Sequence, residues 1–335
     1  MKKLLCLLLL TALLTITAAQ AAEQPLYSAT AKISAPIYAE MDKDSQQVGR
    51  INPAYSVDVY AIYPEWLYVG LGRSKGYVPR HYLYVGKALD RENTPPWGVV
   101  FYQYVGTAGP QGAVIHSAMD AGSDALITLD AGAKVSVIDM MDGGARVAYY
   151  WQYGYIDTNR LSELLPVCAD AQKGTDYAPI ATFTSYYVVG SEDEGVHGKE
   201  INIGVNCRYM NGCVIASGET IDYDSYFGPY LPSKDYVKGP VLLDYGWGLG
   251  PGGGVCQVSS TLYNVLAQLP GINVIHHTSH GPSGIAYLPL DMDAAVGNPD
   301  HAIDLIFRNE YPFDIRFEAL AQNGALFIAM YRVTD

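Results

Sequence analysis

Long apolar runs are scarce in this chain: beyond residues 4–14, no segment approaches membrane-spanning length. Basic residues are scarce as well. Lys and Arg total 21 against 34 Asp and Glu, a formal net charge of −13. So acidic a surface excludes the phosphate-neutralising face that nucleic acid selects, and with it a polybasic membrane patch. Phenylalanine is rare, at 7 residues beside 28 tyrosines, which suits half-exposed strands where an apolar ring carries a polar tip. Hydrophobic residues nevertheless make up 49% of the chain, enough for ordinary globular cores and too many for a disordered one.

The single apolar run sits at the start. Lys2 and Lys3 precede it, and Ala19-Gln20-Ala21 follows, so a basic start, a short apolar core and a small-x-small exit are all present. This predicts a secretory signal peptide over 1–21, cleaved near Ala21, and a secreted or extracytoplasmic chain with no stable membrane insertion afterwards. Cys6 lies inside the apolar run, too early for a lipoprotein site. Loss of Lys2 and Lys3 moves the charge from −13 to −15. Cys168, Cys207, Cys213 and Cys256 remain. Cys207 and Cys213 flank the turn signal Asn211-Gly212 and can close a small hairpin in an oxidising compartment, or stand as two independent thiols. Spacing leaves both open.

Residues 26–86 read as short β-rich segments between polar or Gly/Pro turns: 33–38, 47–51, 57–62, 66–69 and Gly76-Tyr77-Val78, closed by Tyr82-Leu83. The order resembles a bacterial SH3 domain, a small barrel of wall-targeted proteins. After Pro95-Pro96 the order recurs over 109–166, with strands at 113–116, 125–127, 134–138 and 146–150, then Gly154-Tyr155-Ile156 and Leu161. The resemblance implies envelope targeting through peptide or peptidoglycan; a spacer role stays open. Residues 168–179 read as a linker into a third domain at 178–333. There, residues 257–269 carry apolar positions at helical spacing, stopped by Pro270-Gly271, and three strand-like runs follow, at 302–307, 313–319 and 325–332. Gln322-Asn323-Gly324 is a hairpin turn. The expected fold is multidomain: two small all-β SH3-like barrels, then an α+β domain with one core helix on a mostly antiparallel sheet.

Chemistry concentrates in the glycine-rich loop 248–261. Gly252, Gly253 and Gly254 leave backbone bare of side chains ahead of Val255-Cys256-Gln257, which opens the predicted helix. A helix N-terminus favours thiolate over thiol, and its amides suit an oxyanion formed when sulfur attacks a carbonyl. Cys256 is thus an exposed nucleophile candidate, with the loop amides from Gly252 to Gln257 as oxyanion donors. The competing readings are a buried small hydrophobe over a tight turn, and a phosphate loop. The phosphate loop lacks the lysine that should follow the glycines. A cysteine nucleophile needs a base or ion-pair partner, and His276, His277 and His280 cluster just beyond the helix. With Cys256 they match zinc ligand types, but the spacing fits no common closed site, so neither metal nor cofactor is expected.

Gly-Gly-Gly-Val-Cys-Gln-Val-Ser-Ser-Thr-Leu-Tyr at 252–263, then His280, Tyr287-Leu288-Pro289, Asp293-Ala294-Ala295-Val296 and 304–309, resembles the VanW domain, a family named from a glycopeptide-resistance gene cluster. The likeness runs from about residue 180 to 332. It implies L,D-transpeptidase-like acyl transfer on peptidoglycan stem peptides through a Cys256 thioester. His280 is the favoured base ahead of His277 and His276, and Asp293 would orient it. Here His280 is followed by Gly281-Pro282-Ser283, whereas the family tends to a His-Ser pair. A cysteine peptidoglycan hydrolase and a non-catalytic wall-binding or resistance-accessory protein are the alternatives.

Overall fold

A computed structural model describes residues 24–334 except 64, 97, 121, 244–245, 281–284, 286, 290 and 298–301. The signal peptide expected over 1–21 lies outside the described residues. Among the described residues no helix is long and apolar enough to cross a membrane.

The first β unit holds β1 (Tyr27–Ala31), β2 (Ala35–Tyr38), β3 (Gln47–Ile51), β4 (Ser56–Ile62), β5 (Trp66–Leu71), β6 (Ser74–Pro79) and β7 (Leu83–Ala88). They form one sheet in the order β3-β2-β6-β5-β4-β1-β7. The second unit holds β8 (Tyr104–Ala108), β9 (Ala113–His116), β10 (Ala125–Leu129) and β11 (Lys134–Val137). It continues with β12 (Asp139–Met141), β13 (Gly144–Tyr149), β14 (Gln152–Asp157) and β15 (Leu161–Pro166). Its sheets run β10-β9-β14-β13-β12 and β11-β8-β15.

The pairings recur in the same order. The partners β1–β4, β1–β7, β2–β3, β2–β6 and β5–β6 return as β8–β11, β8–β15, β9–β10, β9–β14 and β13–β14. The counterpart of β4 is broken at Ile138 into β11 and β12, which divides the second ladder in two. Neither unit is a closed barrel among the described residues, because β3 and β7 remain edges of the first sheet. The barrel expectation is reached only as far as two β units of repeated pairing.

The remainder packs around β16 (Pro179–Tyr186). Two helices follow, α1 (Glu194–Met210) and the short α2 (Tyr223–Phe227), with β17 (Val214–Ile215) and β18 (Thr220–Asp222) between them. The hairpin β19 (Lys238–Leu243) and β20 (Gly246–Pro251) leads into α3 (Val255–Leu266). Then come β21 (Ile272–His277), β22 (Leu305–Asn309), β23 (Ile315–Gln322) and β24 (Ala325–Arg332). The main sheet is β16-β24-β23-β17, with β18-β22-β21 beside it.

All eight residues of β16 are buried, as expected of a strand covered on both faces. Successive side chains point to opposite faces. Thr182 and Thr184 accordingly reach Ser136 of the second β unit at 2.8 and 3.0 Å, while Ser185 reaches Thr261 of α3 at 2.7 Å. The second β unit therefore backs the sheet that carries α3.

The helix expected at 257–269 runs Val255–Leu266, so Cys256 lies within its first turn rather than before it. A second long helix, α1, was not expected. Its Gly195 and Gly198 break a helical reading in sequence, yet Gly198 is where the helix touches β19: a Cβ there would stand 1.8 Å from the Lys238 carbonyl oxygen. The helix needs glycine for close approach, not flexibility. The disulfide reading is overturned, since Cys207 and Cys213 are both free thiols. Cys207 points from α1 into the core, and Cys213 lies past the helix end with its thiol donated to the Tyr209 carbonyl at 3.1 Å.

Candidate active site

Three separate segments meet at Cys256. The first is the glycine turn. Gly254, at φ 109°, caps α3, and the turn is pinned from α1 by the fully buried Asn202, which donates to the Gly253 and Val237 carbonyls at 2.8 and 2.9 Å. Four of the loop amides proposed as oxyanion donors are already engaged. Gly252 and Gly253 donate to the carbonyls of Val237 and Gly250, and Val255 and Gln257 to those of Gly252 and Gly254. A turn this tight consumes its own N–H groups. The amides of Gly254 and Cys256 are left without an acceptor among the described residues.

The second segment follows β21 and carries His280; the third, residues 291–297, carries Asp293. Asp293 is buried, and its Oδ2 accepts from the His280 amide at 2.8 Å and from the ring Nδ1 at 2.5 Å. With Nδ1 occupied, Nε2 is the nitrogen left to face the sulfur. Burial alone would lower the His280 pKa. Hydrogen bonds to Asp293 and to Cys256, with the attraction of both charges, outweigh it and raise the pKa to about 10. The Cys256 thiol also lies 3.4 Å from the Val296 carbonyl. The sulfur is half-buried rather than exposed.

His277 and His276 do not join this group. The His277 ring stacks on Tyr263 at 4.1 Å and 4°, with Nε2 on the Asp293 carbonyl. His276 Nε2 lies 2.7 Å from the Ala302 carbonyl. Strand alternation after Ile275 sends both rings to backbone partners, so His280 alone of the three meets the thiol. Among the described residues no cluster of His, Cys, Asp or Glu has a metal-holding arrangement.

Several site residues were not legible in sequence. Hydroxyls in a first helical turn ordinarily satisfy free backbone amides, but those of α3 hold the Asp293 segment. Ser260 Oγ accepts from the Ala294 amide at 2.9 Å, Ser259 Oγ donates to the Ala294 carbonyl at 2.6 Å, and Asn264 donates to the Met292 carbonyl at 2.7 Å. At the far end Asp224 accepts from the Gly297 amide at 2.7 Å and from the Tyr230 hydroxyl at 2.6 Å. Gln257 is buried and donates to the Tyr186 carbonyl at 2.9 Å, fixing the helix start to β16. Lys199 of α1 lies against Gly254, with its ammonium 5.2 Å from the centre of the Tyr287 ring. A run of Ser-Ser-Thr is the one sequence signal that could have flagged the clamp.

The geometry can be set beside known proteins. A family model described as VanW like protein matches residues 198–331. The uncharacterized protein YoaR of Bacillus subtilis (strain 168) is 31% identical over 132 residues, 39% of this chain and 42% of that protein. The chain thus spans less than half the length of this curated relative. Among solved structures, an NlpC/P60 family protein from Bacillus cereus ATCC 10987 is 12% identical, covering 42% of this chain and 56% of that one, with a TM-score of 0.17. NlpC1 from Trichomonas vaginalis is also 12% identical, covering 94% and 95%, with a TM-score of 0.19. Scores this low establish no common fold. The sequence match is of another kind: the residues the family model covers, 198–331, include the segment that folds around Cys256, and over them this chain is similar to VanW-like proteins.

Proposed function

We propose that this chain is a cell-envelope acyltransferase that acts on peptidoglycan stem peptides through Cys256. The carrying observation is the convergence of a half-buried thiol at a helix start with the hydrogen-bonded His280 and Asp293 drawn from two other segments. The Cys256 sulfur attacks the carbonyl between the third residue and the terminal D-Ala of a tetrapeptide. A C–S bond forms, and the oxyanion is held by the amides of Gly254 and Cys256. Collapse breaks the C–N bond, and the His280 imidazolium gives its proton to the departing D-Ala amine. The side-chain amine of a neighbouring stem then attacks the thioester and yields a proton to His280. The thiolate is released and the cross-link is formed. Asp293 holds the ring by Nδ1 throughout. The two N-terminal β units act as SH3-like envelope-targeting modules, and 1–21 directs export.

The test is intact-mass analysis after incubation with a tetrapeptide donor. The parent should gain the mass of the acyl tripeptide and Cys256→Ser should not. A folded parent that forms no adduct and releases no D-Ala would reject the reading. Adduct loss to water rather than to an added amine would assign a hydrolase instead.

A further inference from the structure

Lys199 is a cation near the thiol that forms no ion pair among the described residues. It lies on α1, one turn before Asn202, which pins the glycine turn. Its stem runs along Gly254: a Cβ at 254 would stand 2.7 Å from Lys199 Cγ and 3.0 Å from its carbonyl oxygen. Gly254 thus serves two ends, a left-handed cap for α3 and room for this lysine. Among the described residues Lys199 makes no ion pair and no hydrogen bond; its one polar contact is the face of Tyr287. The acids of the site are committed elsewhere, Asp293 to His280 and Asp224 to Tyr230 and Gly297. Burial pushes the Lys199 ammonium down to about 8, against the pull of Cys256 and Glu65, so it is charged at pH 7. A largely desolvated cation with no partner beside a nucleophile is placed to receive an anion.

We propose that Lys199 is the anchor for a free carboxylate on the substrate, so that Cys256 acts on the amide bond next to a carboxy-terminal amino acid. This rests on the reading of Cys256 as an acyl-transfer nucleophile, and it deepens that reading. A tetrapeptide ending in a free D-Ala carboxylate fits; a stem extended or amidated there does not. Lys199 is then a substrate-binding residue that sets the donor end, not a proton carrier.

The anchor can be tested without turnover. Iodoacetate and iodoacetamide alkylate the same thiol and differ in a carboxylate against an amide. At pH 7 the ratio of their rates at Cys256 should exceed the ratio for free cysteine. Lys199→Met should lower it by about ten-fold or more, as for loss of a charge-assisted hydrogen bond, leaving the iodoacetamide rate nearly unchanged. Lys199→Arg should retain the preference. Equal slowing of both reagents in Lys199→Met would overturn the proposal, because the lysine would then act on the sulfur. So would a parent ratio no higher than that of free cysteine, a result that holds even where the Met variant fails to fold. In a second arm, thioester formation is compared for tetrapeptide donors with a free or an amidated carboxy terminus. An iodoacetate preference with no adduct from either donor retains the anchor and rejects the acyl-transfer reading. Adducts formed equally from both donors retain the reaction and reject the anchor.

Discussion

Asp293→Asn isolates what a buried carboxylate does for His280. The two side chains are 3% and 10% exposed, so solvent screens the pair little. Asparagine keeps an oxygen where Oδ2 now accepts from the His280 amide and ring, but removes the charge. A hydrogen bond to a charged group contributes ~1.5–3 kcal/mol, and one between neutral groups ~0.5–1.5 kcal/mol. The imidazolium therefore loses ~1–2 kcal/mol of support, which lowers its titration by roughly one pH unit. The sign follows from a pKa raised to about 10: the protonated ring is the favoured form at neutral pH, and the variant weakens that form. A thiolate paired with this imidazolium becomes rarer by ~5–30-fold. The assay is the rate of iodoacetamide alkylation of Cys256 across pH. Asp293→Asn should react ~5–30-fold more slowly at pH 7 and converge with the parent only as pH rises past about 10, where the ring loses its charge in the parent as well. Superposable profiles for variant and parent across that range would refute the coupling of Asp293 to the thiol.

Three further outcomes follow from the same geometry. His280→Ala should slow alkylation at pH 7 far more than at pH 9, since high pH ionises the thiol unaided; unchanged profiles would remove His280 from the mechanism. Gly198→Ala should lower the melting temperature by the equivalent of ~1–3 kcal/mol or more, because its Cβ cannot share space with the Lys238 carbonyl; an unaltered melt would deny the seating of α1 on β19. Burial and the neighbouring Asp222 push Asp304 up to about 7, so the stability its protonated form contributes is full below about 3.8 and lost as pH rises through 7. Asp222, pushed down, opposes part of this. Asp304→Asn should therefore gain in melting temperature over the parent between pH 4 and pH 8, and a difference that stays constant with pH would contradict the shift.

Local signals were sufficient for much of the architecture. Alternation and turn residues marked most of the strands, and the type of turn at Asn323-Gly324, both at positive φ, was legible from the dipeptide alone. The recurrence of one strand order was legible for the same reason: pairing order follows short connections, and short connections are written in consecutive residues. Whether each unit closes is a different matter. It depends on whether distant edges meet, and one break at Ile138 divides the second ladder without any mark in its composition.

The site divides along the same line. Glycines, cysteine and helix start are adjacent in the chain, so Cys256 and its turn could be found by reading. The partner histidine could not, because His276, His277 and His280 differ only in which face of one segment they take. That choice was made by the Asp293 segment, itself held by Ser259, Ser260 and Asn264. Helix α1 was hidden because it buries Gly198, Asn202 and Asn206, residues that read as surface or loop until something lies against them. Residue types and the local backbone were set by the sequence alone. Which polar groups lost water, and so which met a partner and which, like Lys199, were left without one, was decided by packing between segments far apart in the chain.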